Sequence, residues 1–395
     1  MNMSTEHLNI PTKILRGIQL FAYGLVVVVW FDNAFFHLFS LLLLLAFCIS
    51  LRWTGLLGLK ASIYENKYIH AAFLVIWAVM LVSNLINHQS EEAWRTMMQF
   101  GFRYWLLFGV FSYLLLMRIV LVRFMFIAAV AGLACQCIPF ISSMLDLSIF
   151  DSRFRGFNRN PNITGFQAGG LALMSLYLFF HQKLECRIRH ALAVPLGIMA
   201  FMVLIASGNR SSWVAVLAAS GLFLAAMLPK NPKKVILLSL FIGAAGAIML
   251  TQFPGPAQRL SLLVDGESTY RFAIWQNAFE LYLQKPIFGH GLDTREIMLG
   301  NYNLPIYQEH NVFISVLTAM GTVGLLAYLS LIGGIFRFGL KYRNYFALLL
   351  LIFILIRGMF AFDFYQTQIF LVPFVLLAAV SVHRREDIGA PNSQF

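Results

Sequence analysis

Two residue types in this chain can act on an anionic substrate: arginine, whose planar fork matches phosphate, and histidine, which accepts a proton near neutral pH. Arg210 stands in Ser207-Gly-Asn-Arg-Ser-Ser-Trp213, a short polar turn between two apolar runs. Arg271 opens Arg271-Phe-Ala-Ile-Trp275, which places Trp275 one helical turn later. His310 sits in Glu309-His-Asn311, directly before another apolar run. Arg153, Arg155 and Arg159 share a basic loop with aromatic residues, Arg153-Phe-Arg-Gly-Phe-Asn-Arg159-Asn-Pro-Asn162, which opens into a helix near Ile163. Forked cations hold and neutralise a phosphate, and a neutral imidazole takes a proton from a hydroxyl.

Each of these residues also has a purely structural reading. Arg210 can anchor a helix end among lipid headgroups. Arg271 and Trp275 can form a cation–π pair, or lie on a helix that rests on the membrane. His310 can cap the helix that follows; as a base, the positive end of that helix would keep it neutral and able to accept. The Arg153–Asn162 loop can bind a sugar or phosphate, or simply be solvated. His290, in Gly289-His-Gly291, reads as a turn residue.

The elements that must position these side chains are membrane helices. Of 395 residues, 59% are hydrophobic and 12% charged, with mean hydropathy +0.75. Soluble domains carry about 25% charged residues. A spanning helix needs about 20 largely apolar residues. That length predicts twelve spans, at roughly 15–31, 34–51, 68–87, 98–117, 119–144, 163–181, 190–207, 211–228, 234–251, 311–335, 344–361 and 366–382. The fold class is thus all-α and integral to a membrane, with one long hydrophilic interval from Thr251 to Asn311. That interval opens with Pro254-Gly-Pro256 and carries an amphipathic stretch from Ser268 to Leu283. Ser268 is its expected N-cap, and Phe272, Trp275, Phe279 and Leu283 its apolar face.

Charge sets the orientation. Eighteen of the twenty-nine Lys and Arg residues fall on the side that holds both termini, as the positive-inside rule requires of a cytoplasmic face. The other eleven are Arg95, Arg103, Arg153, Arg155, Arg159, Arg210, Arg259, Arg271, Lys285, Arg295 and Arg357. Ten of these are arginine, and Arg103 and Arg357 lie inside predicted helices near their outer ends. An outer face rich in arginine, against the general bias, points to an anionic ligand. The net charge of +12 is scattered between apolar runs, which argues against nucleic acid.

Several chemistries lack their residues. There is no Asp-x-Asp pair for a metal-held nucleotide sugar, no Walker loop, no serine elbow and no histidine pair with metal spacing. Cys48, Cys135, Cys137 and Cys186 form no disulfide or zinc framework, and no cleavable signal peptide is expected.

Taken together, Ser207–Trp213, Arg271–Trp275 running into Pro286-Ile-Phe-Gly-His-Gly291, and His310-Asn-Val-Phe313 with Gly321 and Gly324 resemble the O-antigen ligase/polymerase superfamily. The shared region would cover roughly 195–345. The resemblance implies a domain layout of membrane helices over 1–195, a ligase-like region over 196–345 with a periplasmic loop at 252–310, and closing helices with a cytoplasmic tail over 346–395. It further implies a glycosyltransferase of the bacterial inner membrane, acting at its periplasmic face. The donor would be a glycan on undecaprenyl diphosphate, and the acceptor a hydroxyl of lipid A-core. Arg210 and Arg271 would grip the diphosphate. His310 would orient or deprotonate the acceptor for displacement with inversion, with no metal or cofactor. Arg153, Arg155, Arg159, Trp275 and Asn311 would complete the substrate-binding set. Length and short termini look most like the ligase branch. The alternatives are a polymerase of the same superfamily and a flippase for lipid-linked oligosaccharide.

Overall fold

The computed structural model describes residues 10–28, 33–143, 153–157, 160–180, 186–252, 271–294, 309–341 and 344–360, together with residues 255, 257, 258 and 261. Regular structure among the described residues is helical throughout. The chain begins with α1 (Thr12–Val28), α2 (Asn33–Glu65), α3 (Lys67–Ile86) and α4 (Glu91–Gln99). A π-helical stretch, Phe100–Leu106, runs into α5 (Leu107–Leu116), followed by α6 (Val122–Cys135) and α7 (Ile138–Ser143). Next come α8 (Pro161–Phe180), α9 (Cys186–Ala206), α10 (Arg210–Met227) and α11 (Pro232–Gln252). The last described elements are α12 (Arg271–Gln284), α13 (Val312–Lys341) and α14 (Tyr345–Gly358).

Among the described residues, five stretches are long and apolar enough to cross a membrane: Lys67–Ile86, Phe124–Ser143, Pro161–Phe180, Arg210–Met227 and Val312–Lys341. Shorter apolar helices accompany them, and the chain is a multi-pass membrane protein. Most expected spans lie on helices shifted by only a few residues. Two differ more. The helix expected at 34–51 continues to Glu65, because Arg52 to Tyr64 brings no breaker beyond the isolated Gly55 and Gly58. The helix expected at 98–117 starts at Glu91, where Ser90 supplies the N-cap by accepting from the Ala93 amide at 3.3 Å. The span expected at 366–382 and the N-cap expected at Ser268 lie outside the described residues.

The chain divides into two compact units. The first comprises residues 1–129, 270–348 and 358–395; the second comprises 130–269 and 349–357. In the first unit α13 packs against α3 and α12, and α1 against α2. In the second, α8 packs against α9 and α10. There Phe166 of α8 stacks on Phe353 of α14, with ring centroids 5.3 Å apart.

One local break organises the first unit. α13 is two helical segments joined at Gly321, whose backbone is left-handed (φ 65°, ψ −165°). A side chain there would collide with the Ile287 carbonyl, so both conformation and space demand glycine. The break releases backbone groups that a continuous helix would have paired. The segment 286–291 supplies their partners. The amides of His290 and Gly291 donate to Thr318 O and Ala319 O, each at 2.9 Å. Beyond the break, Thr322 N donates to Pro286 O at 2.8 Å and Val323 N to Ile287 O at 3.3 Å. This explains why Pro286–Gly291 and Gly321 occur in one chain.

Candidate functional site

In the first unit the site is built where α12 meets the start of α13. α12 buries Ile274, Ala278 and Leu281, with Trp275 and Ile314 packed against them. The expected apolar face is not the buried one: Phe272, Phe279 and Leu283 are 67%, 52% and 58% exposed. Large aromatic residues define the stripe in the sequence, but the small Ala278 is what permits close packing. Arg271, half-buried, begins this helix. One turn on, Trp275 donates its indole N–H to the Glu309 carbonyl at 2.8 Å.

Glu309 itself is 2% exposed. One carboxylate oxygen accepts from Ser315 Oγ at 2.8 Å and the other from Thr294 Oγ1 at 3.3 Å. His310 follows with a left-handed backbone, φ 49°, a conformation rare for a residue other than glycine. Asn311 is the cap of α13. Its Oδ1 accepts from the amides of Phe313 at 3.0 Å and Ile314 at 3.2 Å. The helix end is therefore capped by the neighbour of His310, and the half-buried imidazole is not the capping group. Asn311 Oδ1 has this structural task in addition to any contact with substrate.

The segment from Lys285 to Thr294 is clasped by the end of α3 and the turn into α4. Asn84 Oδ1 accepts from Leu292 N at 3.1 Å, and Asn87 Nδ2 donates to Gly289 O at 3.0 Å. Gln89 binds both ways, donating to His290 O at 2.8 Å and accepting from Asp293 N at 2.9 Å. Ser90 donates to Asp293 Oδ2 at 2.7 Å, and Lys285 donates to Asn87 Oδ1. Ser83 Oγ donates to Ala319 O at 2.8 Å, beside the Gly321 break. His290 is buried and its Nε2 donates to Leu281 O at 2.7 Å. Burial lowers its pKa below the usual histidine value, with the backbone bond opposing and Lys285 adding to the shift.

In the second unit the turn before Arg210 is similarly held. Asn209 caps α10, accepting from Ser212 N at 3.3 Å, while its Nδ2 donates to Asn162 O at 2.7 Å. Arg153 donates to Ser207 O at 3.3 Å and to Asn162 Oδ1 at 2.7 Å. That arginine thus ties the 153–162 loop to the 207–209 turn. Arg155 is exposed, and its carbonyl accepts from Thr164 Oγ1. Arg210, half-buried, is the first residue of α10. Arg357 on α14 is 1% exposed and donates from Nε to Ser212 Oγ at 3.1 Å. Arg159 lies outside the described residues.

Of the expected site residues, Arg271, Trp275, His310 and Asn311 belong to the first unit, and Arg153, Arg155 and Arg210 to the second. Residues 195–329 match the model of the O-antigen ligase family. The resemblance read from the motifs holds across that region. Arg210, Arg271, Trp275, His310 and Asn311 lie within it; the 153–159 loop precedes it and Arg357 follows it. A curated protein of Pseudomonas aeruginosa strain PAO1, named O-antigen ligase, is 28% identical over 218 residues. That alignment covers 50% of this chain and 52% of the relative, so the chain spans about half the length of the curated relative it matches.

The candidate site depends on residues to which the sequence alone assigned no role. Asn84, Asn87 and Gln89 drew no reading from the sequence, although three amide side chains within six positions signal a site with many backbone groups to satisfy. Arg357 was noticed as a charge inside an apolar run, the signal that most often marks a buried functional group in a membrane protein. Its partner on α10, 145 residues earlier, has no signature in the sequence.

Proposed function

We propose that the chain is an O-antigen ligase, transferring a glycan from undecaprenyl diphosphate to a hydroxyl of lipid A-core at the periplasmic face. The observation that carries this reading is the setting of His310. It stands in a left-handed backbone between a buried, hydroxyl-bound Glu309 and the capping Asn311, and the helix that begins with Arg271 grips this segment through Trp275. In this reading His310 serves as the base, and Arg271, one turn before Trp275, supplies a forked cation.

The chemistry is a single displacement. The acceptor hydroxyl attacks the anomeric carbon and gives its proton to the imidazole. The bond from that carbon to the diphosphate oxygen breaks, and its electron pair leaves with the lipid diphosphate. Arg210 and Arg271 offset the charge that grows on the leaving group. The leaving group is already activated, so the step needs neither ATP nor a nucleotide sugar. Arg153, Arg155 and Arg159 would complete the substrate-binding set by offering charge to the glycan or the second phosphate.

Deleting the gene and resolving surface lipopolysaccharide and lipid-linked glycan on gels tests this directly. Ligase loss leaves unextended core while polymer accumulates on undecaprenyl diphosphate. Core bearing a single repeat would instead identify a polymerase, and glycan stranded on the cytoplasmic side a flippase.

A further inference from the structure

We propose that Glu309 is a positioning residue for His310, its carboxylate fixing the segment that carries the imidazole and favouring the imidazolium that forms during transfer. The inference rests on the reading of His310 as the base. It starts from sign and burial. A carboxylate taken out of water is costly unless it is hydrogen-bonded or paired. Glu309 is 2% exposed and is held by two hydroxyls, Ser315 Oγ and Thr294 Oγ1. No ion pair to it occurs among the described residues. Its negative charge is the wrong sign for an incoming diphosphate. It is the right sign for a protonated histidine, and His310 is the adjacent residue.

The hydrogen bonds add a mechanical role. Ser315 lies in the first turn of α13, Thr294 ends the clasped segment, and Trp275 holds the Glu309 carbonyl from α12. Three elements thus converge on the residue that precedes a left-handed histidine, a conformation that persists only when its surroundings over-determine it. The other charged side chains of the described elements packed here have their own settings. Asp293 takes Ser90, Lys285 takes Asn87, and Glu280, exposed on α12, takes Gln276. His290 is bound to Leu281 O. Arg271 stands at the start of α12, α13 carries no charge before Arg337, and α3 none after His70. Glu309 is the buried acid of this group.

In the transfer step the acceptor hydroxyl proton moves to the imidazole, the new C–O bond forms, and the diphosphate leaves with the electron pair. Imidazolium then stands on the residue next to Glu309 in the chain until it passes its proton to water. At an effective dielectric constant of about 20, a unit charge within roughly 10 Å shifts a neighbouring titration by about one pH unit or more.

The test uses full-length protein in liposomes, with undecaprenyl-diphosphate-linked glycan as donor and lipid A-core as acceptor. The kcat is measured against pH, with donor KM, for wild type, H310A, E309Q and E309D. The expected result is a roughly tenfold loss of kcat in E309Q, with donor KM unchanged and the acid limb displaced downward by about one pH unit. E309D, which keeps the charge, leaves the limb in place. A wild-type kcat in E309Q overturns the proposal; so does a lower kcat with an unmoved acid limb, which is what a purely structural role predicts. If E309Q fails to accumulate, T294V/S315A reads the same quantity. Without its two hydroxyl donors the carboxylate is no longer fixed in the segment that carries His310, and the limb should move as in E309Q; an unmoved limb again overturns the proposal. Wild-type protein that transfers nothing, or H310A that transfers normally, sinks the ligase or base reading itself. Loss in H310A with normal E309Q sinks this inference alone.

Discussion

His310 adopts φ 49°, and that angle selects the variant that tests it best. Asparagine tolerates left-handed backbone better than alanine does, so H310N removes the base with little added strain. Because Asn311 already caps α13, Asn at 310 has no cap to restore. H310N should therefore insert and melt like wild type while losing transfer; normal transfer in membranes with equal protein would remove His310 from the chemistry. N311A, by contrast, should cost about 1 kcal/mol of stability, read as a lower melting temperature in detergent. For the arginines, R210K and R271K keep the charge and lose the fork. Each should lose about 1.5–3 kcal/mol, or roughly ten- to a hundredfold in transfer or donor binding. Near-normal ligation in R210A and R271A would make both mere anchors. The types of these side chains were legible in the sequence because arginine against the charge bias stands out. Which of two adjacent polar residues caps a helix was not. Only the backbone angles decide whether the oxygen of His310's neighbour reaches the second and third amides.

Among elements, the segment Lys285–Thr294 and its clasp offer two measurements. G321A forces a side chain onto the Ile287 carbonyl at positive φ and should destabilise by about 1–3 kcal/mol, with transfer falling alongside. His290 supplies a pH dependence. Its folded pKa lies below the usual 6.5, so the unfolded chain takes up a proton first as pH falls. Stability should decline from about pH 6.5 downward to the folded value and be flat above it. H290Q should flatten that decline in thermal melts at pH 5 to 8; an equal decline in the variant would assign it to other groups. The glycines that make this clasp possible were visible in the sequence. Their partners, Asn84, Asn87 and Gln89, were not, since about two hundred residues separate them from the backbone they bind. Periodicity reports which face of a helix is apolar, and on α12 it named the aromatic stripe where Ile274, Ala278 and Leu281 do the packing.

For the whole molecule, the spread of Lys and Arg predicts that α12 and the segment around it face the periplasm. A cysteine at the exposed Glu280, in a background lacking the four native cysteines, should react with an impermeant thiol reagent in intact spheroplasts. Reaction only after lysis would invert the topology and remove the mechanism with it. Hydropathy located most helices because length and composition suffice for a span. The grouping of those helices into two units was beyond its reach, because each unit gathers segments far apart in the chain.

The broken helix also has a history written into its order of synthesis. The amides and carbonyls freed at Gly321 find their partners in Pro286, Ile287, His290 and Gly291, all of which leave the ribosome first. Asn84, Asn87 and Gln89, which hold that segment, leave earlier still. A chain that emerges from its amino end can thus assemble the clasp, seat the segment in it, and present a ready template before the second half of α13 is made. Reversing that order, by circular permutation that places 312–341 ahead of 286–291, would hand the translocon a helix with orphaned backbone groups at its centre. Membranes tolerate such groups poorly, and stalled insertion is the expected fate.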